Sequence, residues 1–343
     1  MIALVCDVGG TNTRFGLVEK GVLASGSLAS FRNGEFADFD SLLAAYLRQV
    51  GRDRVDAAAI ALAAPVGPEG AALTNHDWTI SRSGVDAVTR AKAIYFLNDF
   101  EALGFALMNV GLLETVVLRD GPEARSGRAR RLVLGAGTGF NAAALIIDPI
   151  TGHPVVAAAE CGHMTLPVEG REEHDLQRFL SRGRGRASNE RALSGRGLTE
   201  LYGWCCEKAG LDPVLQGSAD LARRALDGSD GLAREAALLF ARLLGRVAGD
   251  LALAFLPLGG IYLTGGVSRA LLPLLKDDPV FLAAFHAKGR MSGFMDQFPI
   301  AMLTDDRVAL AGCAAFLAAQ TEDNGRPGPE GNAPLSRSSA PAK

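Results

Sequence analysis

Along the chain, apolar residues come in short runs that stop at glycine. Ile2, Ala3, Leu4, Val5 and Cys6 predict a strand ending at Asp7 and the Gly9-Gly10 turn, and the chain returns through Thr11 and Asn12 into a second strand, Arg14 to Val18. The arrangement recurs. Arg131 to Leu134 predict a strand, Gly135-Ala136-Gly137-Thr138-Gly139 a glycine turn, and Asn141 to Ile147 the returning strand. Gly10-Thr11 and Gly137-Thr138 stand at equivalent places in the two copies, and each hairpin is followed by a further strand, over Val22 to Ser27 and Val155 to Ala159. A third glycine turn ends the stretch Gly260 to Gly266, where a buried-looking strand closes in Thr264-Gly265-Gly266. The repetition predicts a duplicated α/β architecture with a nucleotide between the halves.

The remaining elements follow the same punctuation. Ala57 to Ala64 is a continuous small-apolar run that predicts a buried strand, stopped by Pro65 and Gly67-Pro68. Ile94 to Leu97 predicts another strand, and Asn98-Asp99 a cap for a helix with the apolar face Phe100, Leu103, Leu107 and Val110, bridging into a second lobe. Helical periodicity covers Glu172 to Arg182 and Leu232 to Phe255, with Leu232, Ala236, Leu239, Leu243, Val247 and Leu251 on one stripe. A last helix around Val308 to Ala319 is expected to pack its small face, Ala311, Ala315 and Ala318, against the first lobe. Past Gln320 the chain turns to Asn, Gly, Pro, Ser and Arg, a composition that predicts a disordered tail over residues 321–343.

Composition removes several function classes. The 343 residues suffice for two lobes with real cores, and a 48% hydrophobic, 21% charged chain of net charge −3 gives no reason to expect nucleic acid or an anionic membrane as a partner. Five scattered cysteines, Cys6, Cys161, Cys205, Cys206 and Cys313, fit neither a zinc knuckle nor a disulfide framework. No signal core and no apolar run of about 18 residues is seen, so the chain reads as cytoplasmic.

The glycine turns carry the candidate chemistry. Successive N–H groups at such turns form a nest for phosphate oxygens, and adjacent glycines let the backbone approach a ligand closely. No Gly-Lys-Ser/Thr follows, which excludes a Walker A loop, and a strand rather than a helix comes next, which excludes a dinucleotide fingerprint. Asp7, at its strand's end, can face a hydrated divalent cation. Asp99, between a strand and a helix, is placed to accept a proton from a substrate hydroxyl attacking a γ-phosphate, although it could equally only cap its helix. Glu160-Cys161-Gly162-His163 and Ser188-Asn189-Glu190-Arg191 add two acids and an imidazole that could converge with Asn98 and Asp99 on a polyol.

These motifs resemble the bacterial glucokinase family. Cys6-Asp7-Val8-Gly9-Gly10-Thr11-Asn12, Thr74-Asn75-His76-Asp77-Trp78, Leu97-Asn98-Asp99-Phe100-Glu101-Ala102, Gly135 to Gly139, Glu160 to His163, Glu190-Arg191-Ala192-Leu193-Ser194-Gly195 and Thr264-Gly265-Gly266 occur in the family's order across residues 1–320. The zinc motif of the repressor-type sugar kinases is absent. The resemblance implies a two-lobed, actin-like (ribonuclease H-like) ATPase fold with its active site in the cleft: a small lobe, 1–104, completed by a C-terminal helix at 305–320, and a large lobe, 105–304. It implies ATP-dependent conversion of glucose to glucose 6-phosphate, the entry step of glycolysis, by a homodimer. Asp99 is implied as the catalytic base, and Asn98, Asp99, Glu160, His163 and Glu190 as the glucose set. Cys6, Asp7, Val8, Gly9, Gly10, Thr11 and Asn12 match the ATP phosphate loop, with Asp7 near Mg2+, Gly137 and Thr138 the second phosphate turn, and Gly265 and Gly266 the adenosine side.

Two positions depart from the family pattern. Asn141 stands where a glycine is usual, so it either tolerates a left-handed backbone or narrows the nucleotide site. Cys161 also replaces a glycine, and beside the sugar ligands it would alter hexose selectivity or make activity thiol-sensitive. Two alternatives stay open at this level: a kinase for another hexose such as mannose or fructose, and a catalytically silent sugar sensor.

Overall fold

A computed structural model describes residues 1–73, 77–122, 127–215 and 217–323. Thr74-Asn75-His76 and the tail from 324 onward lie outside the described residues.

The first hairpin joins β1 (Ile2–Val8) to β2 (Asn12–Glu19), with Asp7 directly opposite Arg14. β3 (Val22–Leu23) and β4 (Ala29–Arg32) both pair with β2. The strand expected over Val22 to Ser27 is therefore shorter, because Ser25–Ser27 turns as a 3-10 segment in which the Ser27 hydroxyl takes the Leu17 N–H at 2.8 Å. After α1 (Phe39–Gln49), started by an Asp38–Ser41 capping box, β5 (Ala57–Leu62) runs parallel to β1. β6 (Gly70–Ala72) and β7 (Thr79–Ser81) make a separate ribbon, α2 (Arg82–Thr89) follows, and β8 (Ala93–Asn98) completes the sheet order β3-β2-β1-β5-β8.

Alternation fixes the two faces of this sheet. Leu4, Cys6 and Val8 enter one core with Phe15, Ile60 and α1, while Ala3 and Val5 enter another with Ala59, Ala61, Leu97, Leu310, Cys313 and Leu317. Covered on both sides, β5 has all six residues buried, which is why its sequence reads as unbroken Ala, Ile and Leu.

α3 (Asp99–Ala106) leads to β9 (Thr115–Arg119) and to a second sheet. There β10 (Arg131–Ala136), β11 (Phe140–Ile147) and β12 (Pro154–Ala159) form an antiparallel meander. Helices α4 (Gly170–Ser181), α5 (Asn189–Ala192), α6 (Gly195–Ala209), α7 (Ser218–Asp227) and α8 (Gly231–Phe255) then pack into the largest core. β13 (Ile261–Thr264) joins β10 in parallel. α9 (Gly266–Ala270), α10 (Leu272–Asp277) and α11 (Val280–His286) precede β14 (Ile300–Leu303), giving the order β12-β11-β10-β13-β14-β9. An antiparallel hairpin followed by two parallel neighbours thus occurs in both sheets, the duplication that the paired glycine turns predict.

Two expected helix faces differ. α3 stops at Ala106, before a 3-10 segment, and buries Ala102, Phe105 and Ala106, while Phe100 and Leu103 are only partly covered. It touches both sheets: Ala102 and Phe105 join the core of the first, and Gly104 lies against Val156 of β12 in the second. The last helix, α12 (Val308–Asp323), buries Leu310, Cys313, Ala315 and Leu317 on the first sheet and leaves Ala318 exposed. The small residue that matters for close approach is Gly312, where a Cβ would stand 1.8 Å from the Ala102 carbonyl oxygen.

Helix propensity alone favours alanine over glycine by about 1 kcal/mol. Gly312→Ala is expected to do the opposite, lowering stability by roughly 1–3 kcal/mol through overpacking against α3, read as a fall in the urea midpoint at unchanged slope.

Candidate active site

β1, β5 and β8 run parallel in register, Val8 beside Leu62 and Leu62 beside Asn98, so their carboxyl ends share one edge, where open α/β sheets bind ligands. Asp7 lies on that edge with its side chain 17% exposed, 3.3 Å from Arg14. Burial raises its pKa and the Arg14 charge opposes the rise. Beyond it, the Gly9 N–H donates to the Asn12 carbonyl at 3.0 Å. Gly10, Thr11 and Asn12 are exposed, whereas Cys6 and Val8 turn their side chains into the core and can offer a ligand only backbone. A residue that sequence reasoning missed, the buried Asn33, stitches this turn. Its Nδ2 donates to Gly9 O (2.8 Å), its N–H to Thr11 O (2.9 Å), and its Oδ1 accepts from Thr13 Oγ1 (2.8 Å). Only the fold brings this amide to the glycine turn.

At the neighbouring strand end, Asn98 is the N-cap of α3. Its Oδ1 accepts the Phe100 N–H at 3.0 Å, its Nδ2 reaches Ala64 O at 3.3 Å, and Glu101 returns to the Asn98 N–H, completing a capping box. Asp99 is the first helical residue, and its Oδ1 also takes the Phe100 N–H at 3.0 Å. Burial lifts the Asp99 pKa to about 6, the Phe100 N–H works against that, and the charges of Asp7 and Glu160 add to it. Three acids from three separate stretches of chain therefore act on one another here.

The second sheet supplies the facing wall. Glu160 follows β12 and opens a 3-10 turn, Cys161–His163, whose His163 N–H bonds back to Glu160 O at 3.0 Å. His163 itself is exposed. Glu190, in the first turn of α5, accepts the Phe140 N–H at 3.1 Å. Its Oε2 lies where a Cβ on Gly139 would come within 2.6 Å, so Gly139 makes room for a carboxylate. Gly162 permits an even closer approach, since its Cβ would be 2.1 Å from Phe140 O.

The structure bears on both departures from the family pattern. Among the described non-glycine residues only Lys20, Arg90 and Leu256 have positive φ, so Asn141, inside β11, needs no left-handed backbone. Nor does it line the cavity described next. Cys161 is 3% exposed in the large core, and burial, aided by the Glu160 charge, raises its thiol pKa. That is a packed, protonated thiol, contrary to the thiol-sensitive reading.

A cavity of about 360 Å³ opens beside the second glycine turn, lined by Gly137, Thr138, Gly195, Ser218, Ala219, Gly266, Val267 and Ala270. Gly137 abuts Gly265 and Gly266, and Gly265, at φ +96°, could not carry a Cβ without meeting Ala136 O at 2.3 Å. The predicted Gly137, Thr138, Gly265 and Gly266 are thus brought together. Ser218 and Ala219, which open α7, were missed because nothing local ties that helix to a glycine turn. Among the described residues no group of three or more His, Cys, Asp or Glu side chains is placed to hold a metal alone, and no helix is long and apolar enough to cross a membrane.

The family model described as Glucokinase matches residues 4–320. A glucokinase of Rhizobium johnstonii is 33% identical over 313 residues, covering 91% of this chain and 90% of that protein. The crystal structure of a glucokinase from an Antarctic psychrotroph superposes with a TM-score of 0.80 at 28% identity, over 92% of this chain and 98% of that one. A glucokinase from Balamuthia mandrillaris, solved in complex with glucose, gives a TM-score of 0.75 at 20% identity over 92% and 93% of the two chains, a likeness of fold.

The raised Asp99 pKa has a stability consequence. A carboxyl that holds its proton more tightly folded than unfolded weakens the fold as pH rises between about 4 and 6, and the whole cost is present above that range. Asp99→Asn is expected to be more stable than the parent by roughly 2–3 kcal/mol at pH 8, with no gain at pH 4, in urea unfolding at the two pH values.

Proposed function

The chain belongs to the glucokinase family, with its two-lobed actin-like fold, and we propose that Asp99 is the base by which it phosphorylates glucose at the 6-hydroxyl with ATP. The observation that carries this reading is the half-buried Asp99 carboxylate at a strand end, with a pKa of about 6, beside the charges of Asp7 and Glu160. At neutral pH it is ionised, yet basic enough to take a proton.

Glucose lies against Asn98, Glu160, His163 and Glu190, whose acceptors and amides match neighbouring hydroxyls. Asn98 spends its amide on Phe100 and Ala64, so its part is shared with capping. Phe100 N–H holds Asp99 Oδ1, which leaves Oδ2 for the sugar. As the 6-oxygen bonds to the γ-phosphorus, the bond to the bridging oxygen of ADP breaks and the hydroxyl proton passes to Asp99. The two glycine turns hold the phosphates, and the cavity beside Gly137 and Gly266 takes the adenosine. Asp7 fits a magnesium ion bound through water, since one carboxylate suffices when nucleotide phosphates complete the shell. When bound, that ion neutralises phosphate charge. The lobe division at 104 and 305 and a homodimer rest on the family resemblance, and a cytoplasmic location on the sequence pattern.

Asp99→Asn is expected to lower kcat by at least about 10²-fold with glucose binding retained. In the parent enzyme kcat falls below pH 6, where the base becomes protonated, and the residual rate of the variant lacks that limb. Near-parental turnover by the variant in a coupled assay with glucose, mannose, fructose and N-acetylglucosamine would refute the assignment.

Glucose at about 100 times its Kd should stabilise the fold by about 2.7 kcal/mol, and Glu160→Ala should abolish that response. Stabilisation by ATP but by no hexose overturns the sugar site, and a glucose response without ADP formation identifies a sensor.

A further inference from the structure

Asn141 is half-buried at the start of β11, and its side chain makes three hydrogen bonds that neither glycine-turn chemistry nor sheet pairing requires. Oδ1 accepts the Cys161 N–H and the Ala142 N–H, both at 2.9 Å, while Nδ2 donates to Glu160 Oε2 at 3.2 Å. The partners fix which end of the amide is which: two N–H groups can meet only the oxygen, so the NH2 must face the carboxylate. Next to it, the Phe140 N–H holds the Glu190 carboxylate at 3.1 Å. Two successive residues of one strand therefore hold two acids, one through the backbone that any residue has and one through a side chain that a glycine would lack.

We propose that Asn141 is a positioning residue of the sugar site, which pins Glu160 Oε2 and the Cys161 N–H together so that Glu160 Oε1 is presented to the sugar in a fixed orientation. The proposal rests on the reading of Glu160 as a glucose ligand. Without the amide, a carboxylate on an exposed turn is free to rotate, and the Cys161 N–H loses its acceptor. Part of glucose binding would then go into ordering Glu160, so affinity falls while the nucleotide side, which Asn141 does not line, is little affected.

The test measures glucose Kd by calorimetry and the KM for ATP in Asn141→Gly, Asn141→Asp and Glu160→Ala, and in Asn141→Gly combined with Glu160→Ala. Asn141→Gly should raise glucose Kd about tenfold and change the KM for ATP less than twofold. On the Glu160→Ala background it should add nothing. Asn141→Asp keeps an acceptor for the Cys161 N–H, which guards against a folding failure, but sets a carboxylate against Glu160. Its Kd should be raised most at pH 8 and recover towards the parental value near pH 5, as the two carboxyls come to share a proton. Asp99 from α3, Cys161 and His163 from the 3-10 turn and Glu190 from α5 surround this pair, and their titration is common to Asn141→Gly, which should show no such recovery. If Glu160→Ala leaves glucose Kd unchanged, the underlying reading of the sugar site fails. If Glu160→Ala weakens binding while neither Asn141 variant does, or if the ATP KM rises in place of glucose Kd, the role of Asn141 is overturned.

Discussion

Parallel register is the constraint from which the site follows. Because Val8, Leu62 and Asn98 stand side by side, the first residues past β1 and β8 must emerge on the same edge, and a buried apolar sheet cannot slip without exposing one of its faces. Asp7 and Asp99 are therefore held near each other by strands whose stability comes from aliphatic burial elsewhere. Desolvation by the surrounding protein raises the Asp99 pKa towards neutral, the charges of Asp7 and Glu160 add to it, and that cost is carried by the packing of the strands.

The second wall is built on a different principle. Here glycines allow close approach: Gly139 admits the Glu190 carboxylate, Gly162 the Phe140 backbone, and Gly265 lies against the backbone of Ala136. The turn that borders the cavity beside Gly266 and the two acids Glu160 and Glu190 thus belong to one continuous hydrogen-bonded piece, from Gly137 through Phe140 and Asn141.

Much of this was legible in the sequence, and for identifiable reasons. Hairpins announced by apolar runs and glycine, such as Ile2 to Val18 and Arg131 to Ile147, are local, and so is the cap at Asn98. Faces of helices that touch two layers were not, because the small-residue pattern of α12 does not reveal that Gly312 meets α3 while Ala318 meets water. Asn33 escaped for the same reason, and Asn141, noted only as a departure from the family pattern, hid its partners in the same way. An amide has no periodicity, and its partners lie on a different turn of chain, as Gly9 does for Asn33 and Glu160 for Asn141.

The packing of α12 on the first sheet also sets an order of events in synthesis. Ala3, Val5, Ala59 and Ala61 share their core with Ala102 and Phe105 of α3 and with Leu310, Cys313 and Leu317 of α12, so the cover on one face of the first strands is incomplete until α12 has been made. The amino-terminal sheet cannot mature vectorially, as most first domains do. Until α12 is in place, part of an aliphatic face of that sheet is left for chaperones to shield, and a truncation that removes α12 leaves β1, about 300 residues away in sequence, without part of its core.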